Sequence, residues 1–331
     1  MHRGYGNDHE ADERGVMKTK RTIWKRAGGV FLVLLLMSVA GEAGNRSGTV
    51  TAQFLKLPLS ARAVAMGGAQ VAVAEGATSI GYNPSGMLSI GEYGFGANYT
   101  SWFANIQYSY AGAAVRLGDI GMIGASFTML STDEMTETTP AYPEGTGRTF
   151  RASEYAFSIA YARQVTDQFR VGINGKVIQS DLFNSELGAS TFAFDIGTLY
   201  DIPILQSRIG VSLTNIGKDL QYINETYSLP TALRFGVLVD VVKEEEHKMV
   251  ATLQITRMND AEEQYNLGTE YTLKDIFALR GGWKFAYDQE NVTGGFGMKL
   301  QSFGVNGQVD YGYNNFKYLP GTHSFTIELQ F

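Results

Sequence analysis

The chain has 331 residues, with 27 Lys or Arg against 33 Asp or Glu, 39 Gly, 7 Pro and no Cys. The absence of cysteine excludes disulfides, thiolate metal sites, cysteine nucleophiles and lipoprotein-type acylation. A mean hydropathy of -0.11 excludes a bundle of membrane-spanning helices, which needs several long apolar runs.

One long apolar run exists, Val30 to Met37, preceded by Lys18, Lys20, Arg21, Lys25 and Arg26 and followed by Ser38-Val39-Ala40 and Gly41-Glu42-Ala43. A basic region, a short apolar stretch and small residues at a cleavage point predict a secretory signal peptide at 17–43. The alternative, an uncleaved membrane anchor, is disfavoured because the run is short for a span of about 20 residues. Residues 1–16 carry charges of both signs ahead of Met17, so Met17 is the expected start and 1–16 an extension of the reading frame. Seven of the 27 basic and five of the 33 acidic residues fall in 1–43, so the mature chain keeps 20 and 28, a formal charge of -8. That acidity disfavours nucleic acid as a partner.

Residues 44–90 follow no simple alternation. Small residues surround Gly67-Gly68, where backbone can pack closely, and Asn83-Pro84-Ser85-Gly86 is turn chemistry closing a short helix-like stretch. The expectation is a hatch or plug, partly helical, packed in or under a lumen.

From residue 91 to 331 the chain alternates. Phe192/Phe194/Ile196/Tyr200, Leu233/Phe235/Val237/Val239, Phe277/Leu279/Trp283/Phe285 and Phe325/Ile327/Leu329/Phe331 each place apolar side chains on one parity. Period two is the strand signal, since successive side chains face opposite sides of a sheet. Similar segments at 91–132, 155–177, 249–271, 292–300 and 303–314 bring the count to about fourteen strands of ten to thirteen residues, a length that crosses a bilayer when tilted. Short turns at 117–119, 165–168, 273–275 and 301–302 alternate with longer polar loops at 132–149, 181–188 and 217–230. That asymmetry belongs to outer-membrane barrels.

The register opposite the aromatic one carries Asp195, Arg234, Asp240, Glu270, Arg280, Lys284, Lys299, Asp310 and Glu328. A soluble sandwich with its apolar face buried fits the same alternation. Strand length, the leader and the terminal aromatic Phe331 favour a closed transmembrane antiparallel barrel of the all-β class, with those charges lining the lumen. There they form either internal ion pairs or a permeation path, and their mixed signs favour pairing.

No catalytic constellation emerges. His247 follows Glu244-Glu245-Glu246 in a turn, and His323 adjoins Ser324, whose side chain points to the other face of its strand. The three glutamates read as a solvated turn ahead of a calcium site. Gly67-Gly68, Gly281-Gly282 and Gly294-Gly295 lack the following Lys-Ser/Thr of a phosphate loop and mark close approach or curvature. No enzyme activity, metal or cofactor is expected.

Arg62-Ala63-Val64-Ala65-Met66-Gly67-Gly68-Ala69 and Asn83-Pro84-Ser85-Gly86 resemble the paired N-terminal motifs of the PorV/PorQ family, relatives of the FadL-type barrels. The likeness continues through 143–147, 161–167, 194–200 and 279–284. Glu75-Gly76 stands where that family often has two acidic residues, and Tyr82 replaces a common Trp. The resemblance implies Arg62, Met66, Gly67, Gly68, Asn83, Pro84 and Gly86 as motif residues of the hatch. It also implies a Gram-negative outer-membrane location, contact with outer-membrane lipid, and a role in type IX secretion with a translocon and secreted cargo as partners. Phe331 is the expected C-terminal signal for the barrel assembly machinery. A FadL-like conduit for small hydrophobic molecules is the alternative, and a structural or adhesive surface barrel a third reading.

Overall fold

The computed structural model describes residues 48–183, 188–302 and 305–331. The extension and signal peptide read at 1–43, Phe303, and part of the 181–188 loop lie outside them.

Fourteen strands close into an antiparallel barrel. They are β1 (Tyr93–Ser101), β2 (Gln107–Arg116), β3 (Met122–Ser131), β6 (Ser153–Gln164), β7 (Phe169–Asp181), β8 (Gly188–Ile202), β9 (Ser207–Gly217), β12 (Ala232–Lys243), β13 (His247–Met258), β14 (Gln264–Leu273), β15 (Phe277–Phe285), β16 (Glu290–Ser302), β17 (Val305–Phe316) and β18 (Thr322–Gln330). Each pairs with its neighbour along the chain, and β1 pairs with β18, so no edge is left open. Two small hairpins, β4 (Met135–Thr136) with β5 (Thr149–Phe150) and β10 (Leu220–Tyr222) with β11 (Glu225–Tyr227), rise from connections at one rim. Among the described residues the other rim has short turns, at 117–121, 165–168, 203–206, 244–246 and 274–276. By the usual asymmetry of such barrels the hairpin rim faces outward and the short-turn rim faces the periplasm.

The alternation decides which face is which. Along β8 every second residue is buried and the rest face out, with Phe192 62%, Phe194 60% and Ile196 50% exposed. Leu279 and Phe296 repeat this on the far wall. A soluble sandwich would hide these side chains; here they form an apolar outer face of the kind that lipid covers. Aromatics gather at both rims. Tyr93 stacks on Phe331 at 4.9 Å at the short-turn rim, and Trp102, Phe103 and Phe316 form a three-ring cluster, 5.6–5.7 Å apart, at the hairpin rim.

The buried hydrophobic residues are concentrated in the segment ahead of β1. Phe54, Met66, Val71, Ile80, Met87 and Ile90 are almost wholly buried, and their neighbours are strand residues that face inward. The barrel's core is therefore its own N-terminal segment.

Candidate functional site

The plug begins at the hairpin rim. Val50 forms a parallel bridge with Ser228, and Lys56 Nζ meets Asp260 Oδ2 at 2.6 Å. It then descends through the lumen and meets β1 at the opposite rim. There Arg116 donates to the carbonyls of Leu88, Ile90 and Gly91 at 3.2, 2.5 and 2.5 Å.

Its first structured turn is the helix Ala61–Ala65, capped by Ser60, whose Oγ accepts from Ala63 N at 3.2 Å. A five-residue helix has no stability of its own; it persists because the wall satisfies its ends. Ala61 N donates to Thr326 Oγ1, Gly67 N to Thr293 Oγ1, and Asn266 Nδ2 donates to Gly67 O. Gly67 and Gly68 take φ of +69° and +78°, and Gly68 N bonds back to Ala63 O at 2.8 Å, a glycine-terminated stop. A Cβ on Gly67 would lie 2.8 Å from Leu267 O, so the position needs glycine for space as well as for conformation. Met66 is completely buried beside it.

The second motif closes the lower half. Asn83 Nδ2 donates to Val71 O and Thr198 O at 2.9 and 3.1 Å, and its Oδ1 accepts from Ser85 Oγ at 2.7 Å. One side chain thus joins two limbs of the plug and the β8 wall. Pro84 opens the 3-10 turn Pro84–Ser89, a place where its missing N–H costs nothing. Gly86 packs on Ala74 and Ser79 with no room for a side chain.

The barrel accommodates the plug with inward glycines. A side chain at Gly96, Gly124, Gly172, Gly210, Gly268, Gly282, Gly295 or Gly312 would strike plug atoms. Gly268 faces Gly282 and Gly295 faces Gly312 in register, so plug backbone lies directly against strand backbone. Of the three glycine pairs expected to mark close approach or curvature, Gly67-Gly68 belongs to the plug and one member of each strand pair, Gly282 and Gly295, receives it.

Charge fastens the two parts together. An alternating series crosses the lumen from Arg170 (β7) to Asp201 (β8), Arg208 (β9), plug residues Glu75 and Arg62, then Glu270 (β14), Arg280 (β15) and Asp310 (β17). The successive contacts are 2.5, 2.6, 3.3, 3.0, 2.8, 2.5 and 2.7 Å. Arg62 holds Glu270 through both Nε and Nη2, the planar two-point geometry that arginine makes best. Four cations and four anions cancel, so burial leaves no net charge within the series. Burial pushes the Glu75 carboxyl up, but Arg62 and then Arg208 overcome it and hold it below its ordinary range.

The other inward charges take separate places. Asp195 lies beside a bulge in β9 and receives Lys176 Nζ at 2.7 Å, Asn174 Nδ2 and Asn215 N. Lys284 pairs with Glu290 at 2.6 Å. Glu328 accepts from Thr78 through both the hydroxyl and the amide. Asp240 sits at the short-turn rim with Lys243, and Lys299 shares the inward register but stands exposed at that rim. Arg234 is buried and, among the described residues, hydrogen-bonds to Thr214 Oγ1. Phe331 donates its amide to Tyr93 O at 2.9 Å and accepts Glu92 N at 2.8 Å where the barrel closes.

Sequence reasoning missed Glu75, Arg208, Asp201, Arg170 and Lys176 as part of this lattice. The inward register offered a signal for the four strand residues. Glu75 offered its place between the two motifs, at the acidic position of the resembled family. Below the plug a polar cavity of about 510 Å3 opens at the short-turn rim, bordered by Arg62, Glu75, Asp201, Arg208, Asp240 and Lys243. Among the described residues no cluster of His, Cys, Asp or Glu could hold a metal ion.

A family model described as type IX secretion system protein PorV matches residues 40–261. Comparison with curated protein sequences finds no match. Among solved structures the chain is similar in fold to the Pseudomonas putida toluene transporter TodX, at 11% identity and a TM-score of 0.55, with 82% of this chain and 96% of that one covered. The Ralstonia pickettii toluene transporter TbuX gives 14%, 0.55, 82% and 96%, and a Pseudomonas aeruginosa FadL homologue 10%, 0.51, 85% and 97%. At these identities the likeness concerns the barrel fold alone.

Proposed function

Since the chain belongs to the PorV family of type IX secretion proteins, we propose that it works in the outer membrane as an adaptor, contacting the secretion machinery and its cargo rather than conducting a solute. The family match carries this reading, and the filled lumen supports it. Plug backbone lies against inward strand glycines, an ion series crosses the interior, and both ends of the plug are tied to opposite rims. A barrel built this way offers its rims and outer wall as working surfaces. Its outer rim is acidic and polar, from Asp133, Glu134 and Glu137 in the long 132–152 connection to Glu262 and Glu263 between β13 and β14. Such a surface suits protein contact better than entry of an apolar solute.

The signal peptide is removed at 17–43 in this account, and Phe331 presents the C-terminal signal to the assembly machinery. Arg62, Met66, Gly67, Gly68, Asn83, Pro84 and Gly86 act to hold the hatch shut. Asp195, Glu270, Arg280, Lys284, Asp310 and Glu328 act as internal ties and not as a permeation path. No step of chemistry is assigned to any of them.

A second reading is favoured by one observation, the shared barrel fold with proteins titled toluene transporters. On that reading the plug is a gate for small hydrophobic molecules. Deleting the gene and measuring two outputs separates the two. Loss of secreted proteins from the medium, restored by the intact gene, supports the adaptor. Normal secretion with slowed uptake of a monoaromatic hydrocarbon overturns it in favour of the conduit.

A further inference from the structure

The cavity beneath the plug has a volume of about 510 Å3, within the roughly 300–1,000 Å3 of small-ligand pockets. It opens at the short-turn rim, on the periplasmic side. Plug residues Arg62 and Glu75 border it, β8 and β9 supply Asp201, Ser207 and Arg208, and β12 supplies Leu238, Asp240 and Lys243. Glu75 is the most open member of the ion series, its side chain 43% exposed, so the plug presents a carboxylate to this space.

Two departures from regular strand geometry shape the mouth. The ladder between β12 and β13 slips between Asp240 and Val242, and a one-residue slip turns the following side chains to the other face. Lys243 thereby takes the inward register of Asp240, and its Nζ meets Asp240 Oδ2 at 3.0 Å. Beside them, the turn 203–206 ends on Gln206 in the left-handed region at φ +46°, and Gln206 O accepts Asp240 N at 2.9 Å. The same turn leaves Ile204 95% and Leu205 57% exposed at the lip.

The lining keeps hydrogen-bonding capacity of both kinds. Arg208 donates from Nε to Asp201 and from Nη1 to Glu75, and among the described residues its Nη2 has no acceptor. Asp240 accepts Lys243 on Oδ2, and among the described residues its Oδ1 has no donor. The formal charges cancel, Arg62, Arg208 and Lys243 against Glu75, Asp201 and Asp240. An occupant of either net charge therefore meets three like charges along with three opposite ones. A neutral run of amides offers acceptors to Arg208 and donors to Asp240 at once. Ile202, Pro203, Leu238 and Val250 complete the wall with aliphatic surface and no aromatic ring, so an aliphatic side chain gains by being buried there.

We propose that this cavity is a docking pocket for a short, uncharged peptide segment bearing an aliphatic side chain, entered from the periplasm. The segment's amides meet the charged wall, its aliphatic side chain packs on Leu238 and Val250, and Ile204 and Leu205 extend the apolar contact outside the mouth. That the segment belongs to a protein of the secretion pathway rests on the adaptor reading; that the cavity binds peptide does not.

Because the chain has no cysteine, Ser207→Cys places a single thiol in the cavity wall, and the rate of its maleimide labelling in detergent reports occupancy. The probe is acetyl-Ser-Leu-Ser-amide. With a dissociation constant of about 1 mM, about 10 mM probe slows labelling about tenfold. The probe without an aliphatic side chain, acetyl-Ser-Ser-Ser-amide, and the charged twins, acetyl-Glu-Leu-Glu-amide and acetyl-Lys-Leu-Lys-amide, are each expected to protect at least about threefold less. Labelling of Glu262→Cys, exposed at the hairpin rim, stays unchanged. Val250→Cys, elsewhere in the same wall, repeats the measurement if Ser207→Cys does not fold. Labelling that ignores the neutral probe, that slows equally with the serine-only probe or with both charged twins, or that slows equally at Glu262→Cys, overturns the proposal. Secretion measured after gene deletion bears on the adaptor reading alone, so the two fail separately.

Discussion

Removing the Glu270 carboxylate tests the tie between plug and wall where it is strongest. Glu270→Gln keeps the shape of the side chain but leaves Arg62, which both Glu270 oxygens hold, and Arg280, at 2.5 Å, with one carboxylate fewer between them. Arg280 retains Asp310 and Arg62 retains Glu75, so the loss falls on the step joining the plug to the β14 wall. Breaking a buried pair by deleting one partner costs about 3–5 kcal/mol, because the remaining charge stays buried. At about 1.4 kcal/mol per decade this is a rise of roughly two to three and a half decades in the population with the plug undocked. The chain has no cysteine, so a single Ser79→Cys, at a completely buried plug position, reports that population through its rate of maleimide labelling in detergent. Labelling in the Glu270→Gln background is expected to rise at least about a hundredfold over Ser79→Cys alone. A change of less than about threefold, below 1 kcal/mol, would refute the reasoning that the ion series holds the plug.

Gly282→Val drives a side chain into the backbone of Met66 and Gly67. It is expected to lower the unfolding midpoint, read by heat-modifiability on gels, while Gly281→Val, with open space around it, has little effect. Asn83→Ala leaves the buried carbonyls of Val71 and Thr198 without that donor and should cost about 1–3 kcal/mol in detergent unfolding. Glu75 has a carboxyl pKa below its ordinary 4.5 in the folded chain. Its stabilising contribution is therefore complete above the unfolded value and lost as pH falls through the folded one. A Tm series in acid should show wild type losing stability below about pH 4.5 more steeply than Glu75→Gln.

Much of this was legible in the sequence, for physical reasons that differ by element. Strands such as β8 and β18 declare themselves because lipid outside and polar contacts inside force strict alternation on every residue. Gly67-Gly68 and Asn83-Pro84 declare themselves because left-handed backbone and a turn-closing amide each need particular residues. The ion series was only half legible. Glu270, Arg280 and Asp310 stood in the inward register, but the residues they would meet depended on how the plug lies. Arg208 and Glu75 are 133 positions apart, and no local pattern links them. The hairpins β4–β5 and β10–β11 escaped notice because two- and three-residue strands carry too little periodicity to register.

The central claim is that this barrel serves secretion through its surfaces. Its most direct measurement is recovery of the protein from mild-detergent membranes through an epitope placed in the exposed part of the 132–152 connection, with Phe331 left free, followed by mass spectrometry. The account predicts co-recovery of a large outer-membrane translocon, or of secreted proteins sharing a common C-terminal domain. Recovery of the barrel alone, carrying lipid or hydrocarbon, would contradict it.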